Sequence, residues 1–222
     1  MKKIKFNFLK NIHWMNHLMG FLSVVLGVLL AFWLNDWNED KKEQEQINIA
    51  LINLKSELKL NLENSKVSLK ENENQFNYMQ AISSIVDDDF ELTVDESVLD
   101  SIYMFYWNEP KSKGHVRLAD LELMGLSEVA YKTFLATRLI NSIEFDLAIN
   151  IQETYLLQTK ISKLDDEIID EVKGLGNDKS KLLRLMSTVR ISNQLVRGLI
   201  NDYYPKSIEK IDEYLIKHRL QE

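Results

Sequence analysis

The run Leu18-Met-Gly-Phe-Leu-Ser-Val-Val-Leu-Gly-Val-Leu-Leu-Ala-Phe-Trp-Leu34 contains 17 residues and no charged side chain. A helix of this length covers roughly 26 Å, slightly less than a hydrocarbon core of ~30 Å. Trp14 precedes the run, and Trp33 and Trp37 mark its other end. Because Trp side chains settle at both membrane interfaces, they compensate for the short length. The stretch therefore predicts a transmembrane helix over residues 18–35.

A cleaved signal peptide is the main alternative, since lysines followed by an apolar run also begin such peptides. Its cleavage site requires small residues, and Ala31-Phe-Trp-Leu-Asn35 offers bulky residues instead. A buried helix of a soluble protein is the second alternative, but such a helix has no need of interfacial Trp on both sides. The sequence favours a retained anchor, with the lipid bilayer as its surroundings.

Charges beside the span predict its orientation. Four lysines precede it, whereas only Lys41 and Lys42 follow it closely, among several acids. Since cytoplasmic flanks carry the excess of Lys and Arg, we expect residues 1–17 to be a short cytoplasmic tail. Residues 36–222 would then form the extracytoplasmic domain. In a bacterial inner membrane that domain is periplasmic.

Charge also limits the partners of this domain. Residues 1–35 contain four Lys and no acid, whereas the remainder has 23 Lys and Arg against 34 Asp and Glu. An acidic domain repels a polyanion unless a basic patch intervenes, and the short lysine-containing runs at 111–113 and 179–181 are typical of solvated loops. Nucleic acid is therefore not a predicted partner.

Small residues recur every four positions within the span, at Ser23, Gly27 and Ala31. Such a stripe lets a second helix approach closely in lipid, where hydrophobicity gives helices no reason to associate. It therefore predicts self-association or docking on another membrane protein. Chance is the alternative, because small residues are common in membrane helices.

The chain beyond the span predicts an all-α fold. No Gly or Pro occurs between Gly27 and Pro110, although strands in small domains are usually punctuated by such residues. Residues 40–79 are predicted to form one long helix. Spacings of four and three along it are typical of a bundle or coiled-coil seam. The seam consists of Ile47, Leu51, Leu54 and Leu58.

Polar residues then occupy the same stripe, at Asn61 and Ser65. The seam is therefore expected to weaken there, or to shift to Leu62 and Leu69. Further helices are predicted at 95–107, 118–124, 127–138 and 142–172, and from 179 to the C-terminal region, with loops at 87–93, 108–114 and 173–179.

The last helix should bury Leu199 and Tyr203 and end or kink at Pro205, because proline lacks the N–H that a helix needs. The two long C-terminal helices then form an antiparallel hairpin. Packed on the first long helix, they would make an elongated helical bundle with coiled-coil-like long helices.

The most aromatic segment is Ile102-Tyr-Met-Phe-Tyr-Trp107. Exposed aromatic clusters often bind partners. More commonly such a cluster is the core beneath a helix, and we favour that interpretation.

Residues for catalysis or cofactor binding are not apparent. His13 and His17 stand one helical turn apart, as metal ligands often do, but histidine is also natural at the membrane interface. The chain has no Cys, no phosphate-binding glycine loop and no nucleophile elbow. We therefore expect no enzyme, no cofactor, no metal and no identifiable small-molecule ligand.

The block Val24-Val-Leu-Gly-Val-Leu-Leu-Ala-Phe-Trp-Leu-Asn-Asp-Trp-Asn-Glu39 resembles the N-terminal signature of a family of bacterial single-pass membrane proteins with no assigned activity. A weaker match is Thr133-Phe-Leu-Ala-Thr-Arg-Leu-Ile-Asn141 with Tyr155 downstream. The family usually has Ser-Gly where this chain has Ala136-Thr137. The two matches cover under a fifth of the chain. The resemblance implies the architecture and leaves the function open.

The resemblance draws attention to the junction that follows the span. It is either a packing site for neighbouring subunits at the membrane surface or an interfacial Trp anchor with helix-capping residues, and we favour the second. Asp36 and Glu39 have the spacing of a capping box, which would start a new helix, although a helix continuous with the span is equally compatible. The junction consists of Asn35, Asp36, Trp37, Asn38 and Glu39.

The sequence as a whole predicts a non-catalytic, membrane-anchored interaction or scaffold protein. It would be homo-oligomeric or an accessory subunit of a bacterial envelope complex. An extracytoplasmic sensor of a small ligand is the alternative. Because the predicted cytoplasmic tail has only about 17 residues, such a sensor would signal through another membrane protein.

Overall fold

The structure is a computed structural model that describes residues 9–88, 95–107, 121–176 and 178–219. All the regular elements in these ranges are helical, in agreement with the predicted all-α class. They are α1 (Leu9–Ile85), α2 (Glu96–Trp107), α3 (Val129–Ala136), a short 3-10 helix (Leu139–Ser142), α4 (Phe145–Lys173), α5 (Lys179–Gly198), a π-helical turn (Leu199–Tyr203) and α6 (Tyr204–Arg219).

Contacts divide the chain into two units, Met1–Asn48 and Ile49–Glu222. The first unit holds the apolar part of α1, whose most apolar 18-residue window has a mean hydropathy of 2.2 and no buried residue. Judged by length and composition alone, this helix is long and apolar enough to cross a membrane. The predicted domain boundary at residue 36 lies inside this unit and remains a prediction.

The helix α1 does not restart at the membrane junction. It runs without a break from Leu9 to Ile85, so of the two alternatives for the junction the continuous helix is the one observed, and no new helix starts at Asp36. The Asn35 side-chain amide instead donates to Glu39 Oε1 at 3.0 Å, one helical turn further on. Polar side chains at this spacing support a continuing helix, and no Gly or Pro lies between Gly27 and the end of α1.

In the second unit, α4 and α5 form the predicted hairpin. Gly174 ends α4, and Gly176 adopts a φ of 51°, which favours glycine. Asp178 caps α5 by accepting a hydrogen bond from the Ser180 N–H at 2.9 Å. Apolar side chains of both helices pack with α1 in one core cluster, whose buried members are Met79, Ile168, Leu175, Leu182, Leu185, Met186 and Val189.

The chain passes from α5 to α6 through the π-helical turn. The Tyr204 N–H donates to the Leu199 carbonyl, five residues back, and Pro205 follows directly. Because a π-helical turn contains one extra residue, each side chain after it occupies the place that its preceding neighbour would take in a regular α-helix. Tyr204 is therefore fully buried and Tyr203 is not, so the prediction that Tyr203 faces inward was wrong by one residue.

Residues 121–128 contain no helix, so a helix over 118–124 was wrong for the described part of that range. The side chains of Asn61 and Asn72 hydrogen-bond the backbone of this segment at Ser127 and Glu122. Its backbone groups thus find partners outside any helix.

The aromatic segment divides between core and surface. Ile102 and Tyr106 pack against a cluster of Tyr78, Ile82 and Val86, whereas Phe105 is exposed. The prediction that the aromatic segment belongs to the core is therefore confirmed for Ile102 and Tyr106. The side chains of residues 103 and 107, the loop at 108–114 and most of the loop at 87–93 lie outside the described residues.

Candidate functional site

The small-residue stripe lies on an open surface of α1. Ser23, Gly27 and Ala31 are exposed. A Cβ atom added to Gly27 would meet no heavy atom within 4 Å. Among the described residues of the first unit, none therefore occupies the space that these small residues leave free.

The three tryptophans predicted to lie at the interfaces, Trp14, Trp33 and Trp37, are all exposed on α1. Lys41 Nζ lies 4.9 Å from the ring centroid of Trp37, a cation–π contact one turn along the helix. Of the other junction residues, Asp36 and Asn38 are exposed, and Asn35 is bonded to Glu39.

His17 is exposed on α1, and the side chain of His13 lies outside the described residues. Among the residues that the structure describes, no group of three His, Cys, Asp or Glu side chains is arranged to hold a metal ion.

The residues of the predicted seam, Ile47, Leu51, Leu54 and Leu58, are all buried. The same stripe continues past Asn61 with buried polar residues in place of apolar ones, so it does not shift to Leu62 and Leu69, which are only partly buried. Its polar members are Glu57, Asn61, Ser65, Ser68, Asn72 and Gln75.

Glu57 is the buried carboxylate of this stripe. Its Oε1 accepts a hydrogen bond from the Tyr155 hydroxyl at 2.7 Å. Its Oε2 accepts from the Ser127 hydroxyl at 2.7 Å and from the Ala130 N–H at 2.8 Å, and the Tyr131 N–H donates to Oε1 at 3.3 Å. One side chain of α1 thus joins α4 to the start of α3.

The N–H groups of Ala130 and Tyr131 explain why the Glu57 carboxylate is tolerated in a buried position. They belong to the first turn of α3, where backbone N–H groups have no partner within the helix. Glu128, at the N-cap of α3, makes no capping bond with its side chain, so Glu57 supplies the cap from another helix. The positive end of the α3 dipole also favours a negative charge at this place.

The electrostatics of Glu57 and Tyr155 follow from these bonds. Burial by itself raises the pKa of Glu57, but the four donors together outweigh it and hold the pKa below 4.5. Burial, followed by the bond to the carboxylate, raises the pKa of Tyr155, so the phenol stays protonated and donates. The Tyr131 ring stacks on Tyr155 with centroids 4.0 Å apart.

Two asparagines of α1 hold residues 121–128, which we call the strap. The Asn61 amide donates to the Ser127 carbonyl at 2.8 Å and accepts from the Ser127 N–H at 2.9 Å. Asn72 makes the same pair of bonds with Glu122, at 3.0 and 2.8 Å.

The strap also binds α4, through Asp165. The Met124 N–H donates to the Asp165 carboxylate. Burial raises the pKa of Asp165 to about 6, and the charge of Asp166 acts in the same direction, while the Met124 bond opposes them. The Met124 side chain itself is buried.

A second polar network joins α4 to α6. The Thr154 and Ser207 hydroxyls lie 2.7 Å apart, and Ser207 donates to Asn150 Oδ1 at 2.8 Å. Gln158 donates to the Tyr204 hydroxyl at 3.1 Å, and burial raises the pKa of Tyr204 to about 12. These bonds specify how α4 and α6 are aligned.

The opposite face of α1 is open to solvent and carries four large aliphatic side chains among polar ones. Leu60 is 57% exposed beside the fully buried Asn61, and Val67 is 59% exposed beside Ser68, which is 5% exposed. Ile49 and Ile52 lie on the same outer side. We call Ile49, Ile52, Leu60 and Val67 the outer stripe.

The sequence prediction missed the roles of Glu57, Asn72 and Asp165. Asn61 and Ser65 did indicate that the seam becomes polar, because these two polar residues continue its helical spacing. Read as a continuing inner face, the pattern would have indicated Asn72 as well. No local pattern indicates Asp165, since its partner is a backbone N–H far away in the sequence.

Comparisons of the chain with known protein families, with curated proteins and with solved structures found no match.

Proposed function

We propose that this chain is a non-catalytic, membrane-anchored interaction protein, which associates with itself or serves as an accessory subunit of a bacterial envelope complex. The observation that carries this proposal is the apolar span of α1, which is exposed on all sides and presents the stripe Ser23, Gly27 and Ala31. A membrane helix with such a stripe offers a close-packing surface to a second helix.

The second unit supports the same proposal independently. The outer stripe places four large aliphatic side chains in solvent along one helix. Exposed aliphatic side chains on one side of a helix, although separated by polar residues, offer apolar contacts to a partner helix. The buried Glu57 supports a structural role over a catalytic one, because both its oxygens already accept hydrogen bonds from the fold.

The proposal includes a helical bundle of the coiled-coil type. Three links between α1 and the C-terminal helices support it. Glu57 bonds to Tyr155 of α4, Glu73 pairs with Arg197 of α5, and Lys55 pairs with Asp212 of α6.

Extraction of the full chain from membranes in mild detergent, followed by native mass spectrometry, tests the proposal. We expect a discrete oligomer or a stable complex with a second membrane protein. A strict monomer that also forms no cross-links in membranes would refute it.

A pair of span variants makes the test specific. Gly27→Leu fills the stripe and should weaken association on the order of tenfold. Leu29→Phe enlarges a side chain about 200° around the helix and should leave association unchanged. Equal effects of the two variants would mean that the stripe is not the contact surface.

The proposed location is the bacterial inner membrane, with residues 1–17 in the cytoplasm and the bulk of the chain in the periplasm. The lysines before the span support this orientation. Protease added to spheroplasts should digest residues 36–222. Protection of that region would reverse the proposed topology.

A ligand sensor is the second candidate. A surface groove of about 410 Å³ beside the stacked Tyr131 and Tyr155 is the observation in its favour, with Ile149 and Leu156 also lining it. Thermal unfolding in the presence of a panel of metabolites tests it. Stabilisation that is lost in Leu156→Glu would support a sensor, and no stabilisation by any compound would count against it.

A further inference from the structure

The groove beside Tyr131 and Tyr155 has an aromatic floor that a single carboxylate holds in place. The Tyr155 hydroxyl donates to Glu57 Oε1 at 2.7 Å, and the Tyr131 N–H donates to the same oxygen at 3.3 Å. The two rings are stacked with an interplanar angle of 4°. Tyr155 is 1% exposed and Tyr131 is half-buried, so a ligand in the groove meets chiefly the Tyr131 ring. Because the floor is already ordered, binding does not have to order it.

The rest of the lining gives the groove its size and its apolar character. Ile149 and Leu156 of α4 line it and are 36% and 57% exposed. Its volume of about 410 Å³ lies within the range of roughly 300–1,000 Å³ that is usual for small-molecule sites. The groove is therefore suited to a small ligand that carries apolar groups.

The charge of the groove is negative. Of the described residues that line it, Glu153 is the only charged one. Glu153 is exposed, and it makes no hydrogen bond or ion pair with any residue that the structure describes. One helical turn to either side of it, α4 carries Ile149 and Leu157, so no Lys or Arg of the same helix neutralises it at that spacing.

The surroundings of the aromatic floor are negative as well. The four groups that donate to Glu57 are all neutral, and the N-terminal dipole of α3 supplies only a partial positive charge. Burial and then the charge of Glu128 raise the pKa of Tyr131. Burial, the bond to Glu57 and the charges around it raise the pKa of Tyr155. Lys132 pairs with Glu128 at 3.1 Å and does not line this groove. The field at the two rings thus favours a cation.

We propose that this groove binds a small organic cation, namely an ammonium group that carries apolar substituents. The charge lies between the Tyr131 ring and the Glu153 carboxylate, and Ile149 and Leu156 contact the substituents. Aromatic rings attract such cations through their electron-rich faces. The inference names the ligand class for the second candidate function and rests on the groove being its binding site. It does not depend on the interaction function.

Binding of choline to the full chain in an uncharged maltoside detergent tests the proposal. Neohexyl alcohol is the matched ligand, because it has the shape of choline with a carbon atom in place of the charged nitrogen. We expect choline to bind about tenfold more tightly, since the aromatic ring and the carboxylate act on its charge. Titrations followed by NMR of the ligand methyl groups measure both dissociation constants.

Variants of the lining make the test specific to this groove. Glu153→Gln should weaken choline binding about threefold and leave the binding of neohexyl alcohol unchanged, because only the charge is removed. Tyr131→Leu keeps apolar bulk without the aromatic ring and should weaken choline binding about fivefold. Glu167→Gln changes an exposed acid of α4 that does not line the groove, and it should bind choline like the unchanged protein.

The outcomes separate this inference from the sensor function. Equal affinities for choline and neohexyl alcohol would overturn it, as would choline binding that is unaffected in Glu153→Gln. If a neutral or anionic metabolite stabilises the protein and choline does not bind, the ligand class is wrong and the sensor function stands. If no compound of any charge binds, both are wrong.

Discussion

Leu60 and Asn61 are neighbours in α1, yet the leucine faces solvent and the asparagine lies in the core. Val67 and Ser68 repeat this inversion two turns later. At Asn61 the inner face is polar because the strap supplies backbone groups that need partners. On the outer face, aliphatic side chains stand among polar ones, and the described residues of the second unit do not cover them. Burial of Asn61 is thus decided by its hydrogen-bond partners more than by hydrophobicity.

Among substitutions on the inner face of α1, Glu57→Gln is expected to reduce the free energy of unfolding most. An amide in place of the carboxylate turns one acceptor into a donor that faces other donors. We expect the free energy of unfolding to fall by about 3 kcal/mol. Urea unfolding of the full chain in detergent, followed by circular dichroism, measures it.

Glu63→Gln is the matched change on the outer side, since Glu63 is exposed and pairs with the exposed Lys66. It should change the stability by less than about 0.5 kcal/mol. Similar losses in both variants would show that the Glu57 bonds are not important for the fold.

A smaller effect is expected for Asn72→Ala, which removes both bonds to Glu122. We predict a loss of about 1.5 kcal/mol, because each net hydrogen bond contributes about 1 kcal/mol and alanine is the better helix former. Asn53→Ala, at an exposed position of the same helix, should stabilise the protein slightly. Thermal unfolding of both variants checks the prediction. A loss of stability in Asn53→Ala as large as that in Asn72→Ala would contradict it.

The smallest expected effect on stability is that of Leu60→Gln on the outer stripe. Its exposed side chain makes little contribution to the fold, so unfolding should change by less than about 0.5 kcal/mol. Association of the full chain in membranes should nevertheless weaken, because the interaction surface loses an apolar side chain. Unchanged cross-linking yields would remove the outer stripe from the proposed interface.

Much of the fold could be predicted from the sequence. The apolar span, the hairpin of α4 and α5 and the buried residues Leu51, Leu54 and Leu58 follow from composition, glycine placement and helical spacing. Tyr204 could not be predicted, because a π-helical turn shifts the register by one residue and no residue type signals it.

The candidate site was less predictable. The strap resembled a short helix because Leu121 and Met124 have helical spacing. Its conformation depends on bonds to Asn61 and Asn72, which lie at least 50 residues away in sequence. Local patterns contain no information on such pairings.

The most direct test compares the unfolding free energies of Leu60→Ala and Asn61→Ala in the full chain. It asks whether the buried asparagine contributes more to stability than the exposed leucine beside it. The two substitutions affect adjacent residues of one helix. We predict that Asn61→Ala loses about 1.5 kcal/mol through its two bonds to Ser127, and that Leu60→Ala loses less than about 0.5 kcal/mol. A larger loss for Leu60→Ala than for Asn61→Ala would contradict the account.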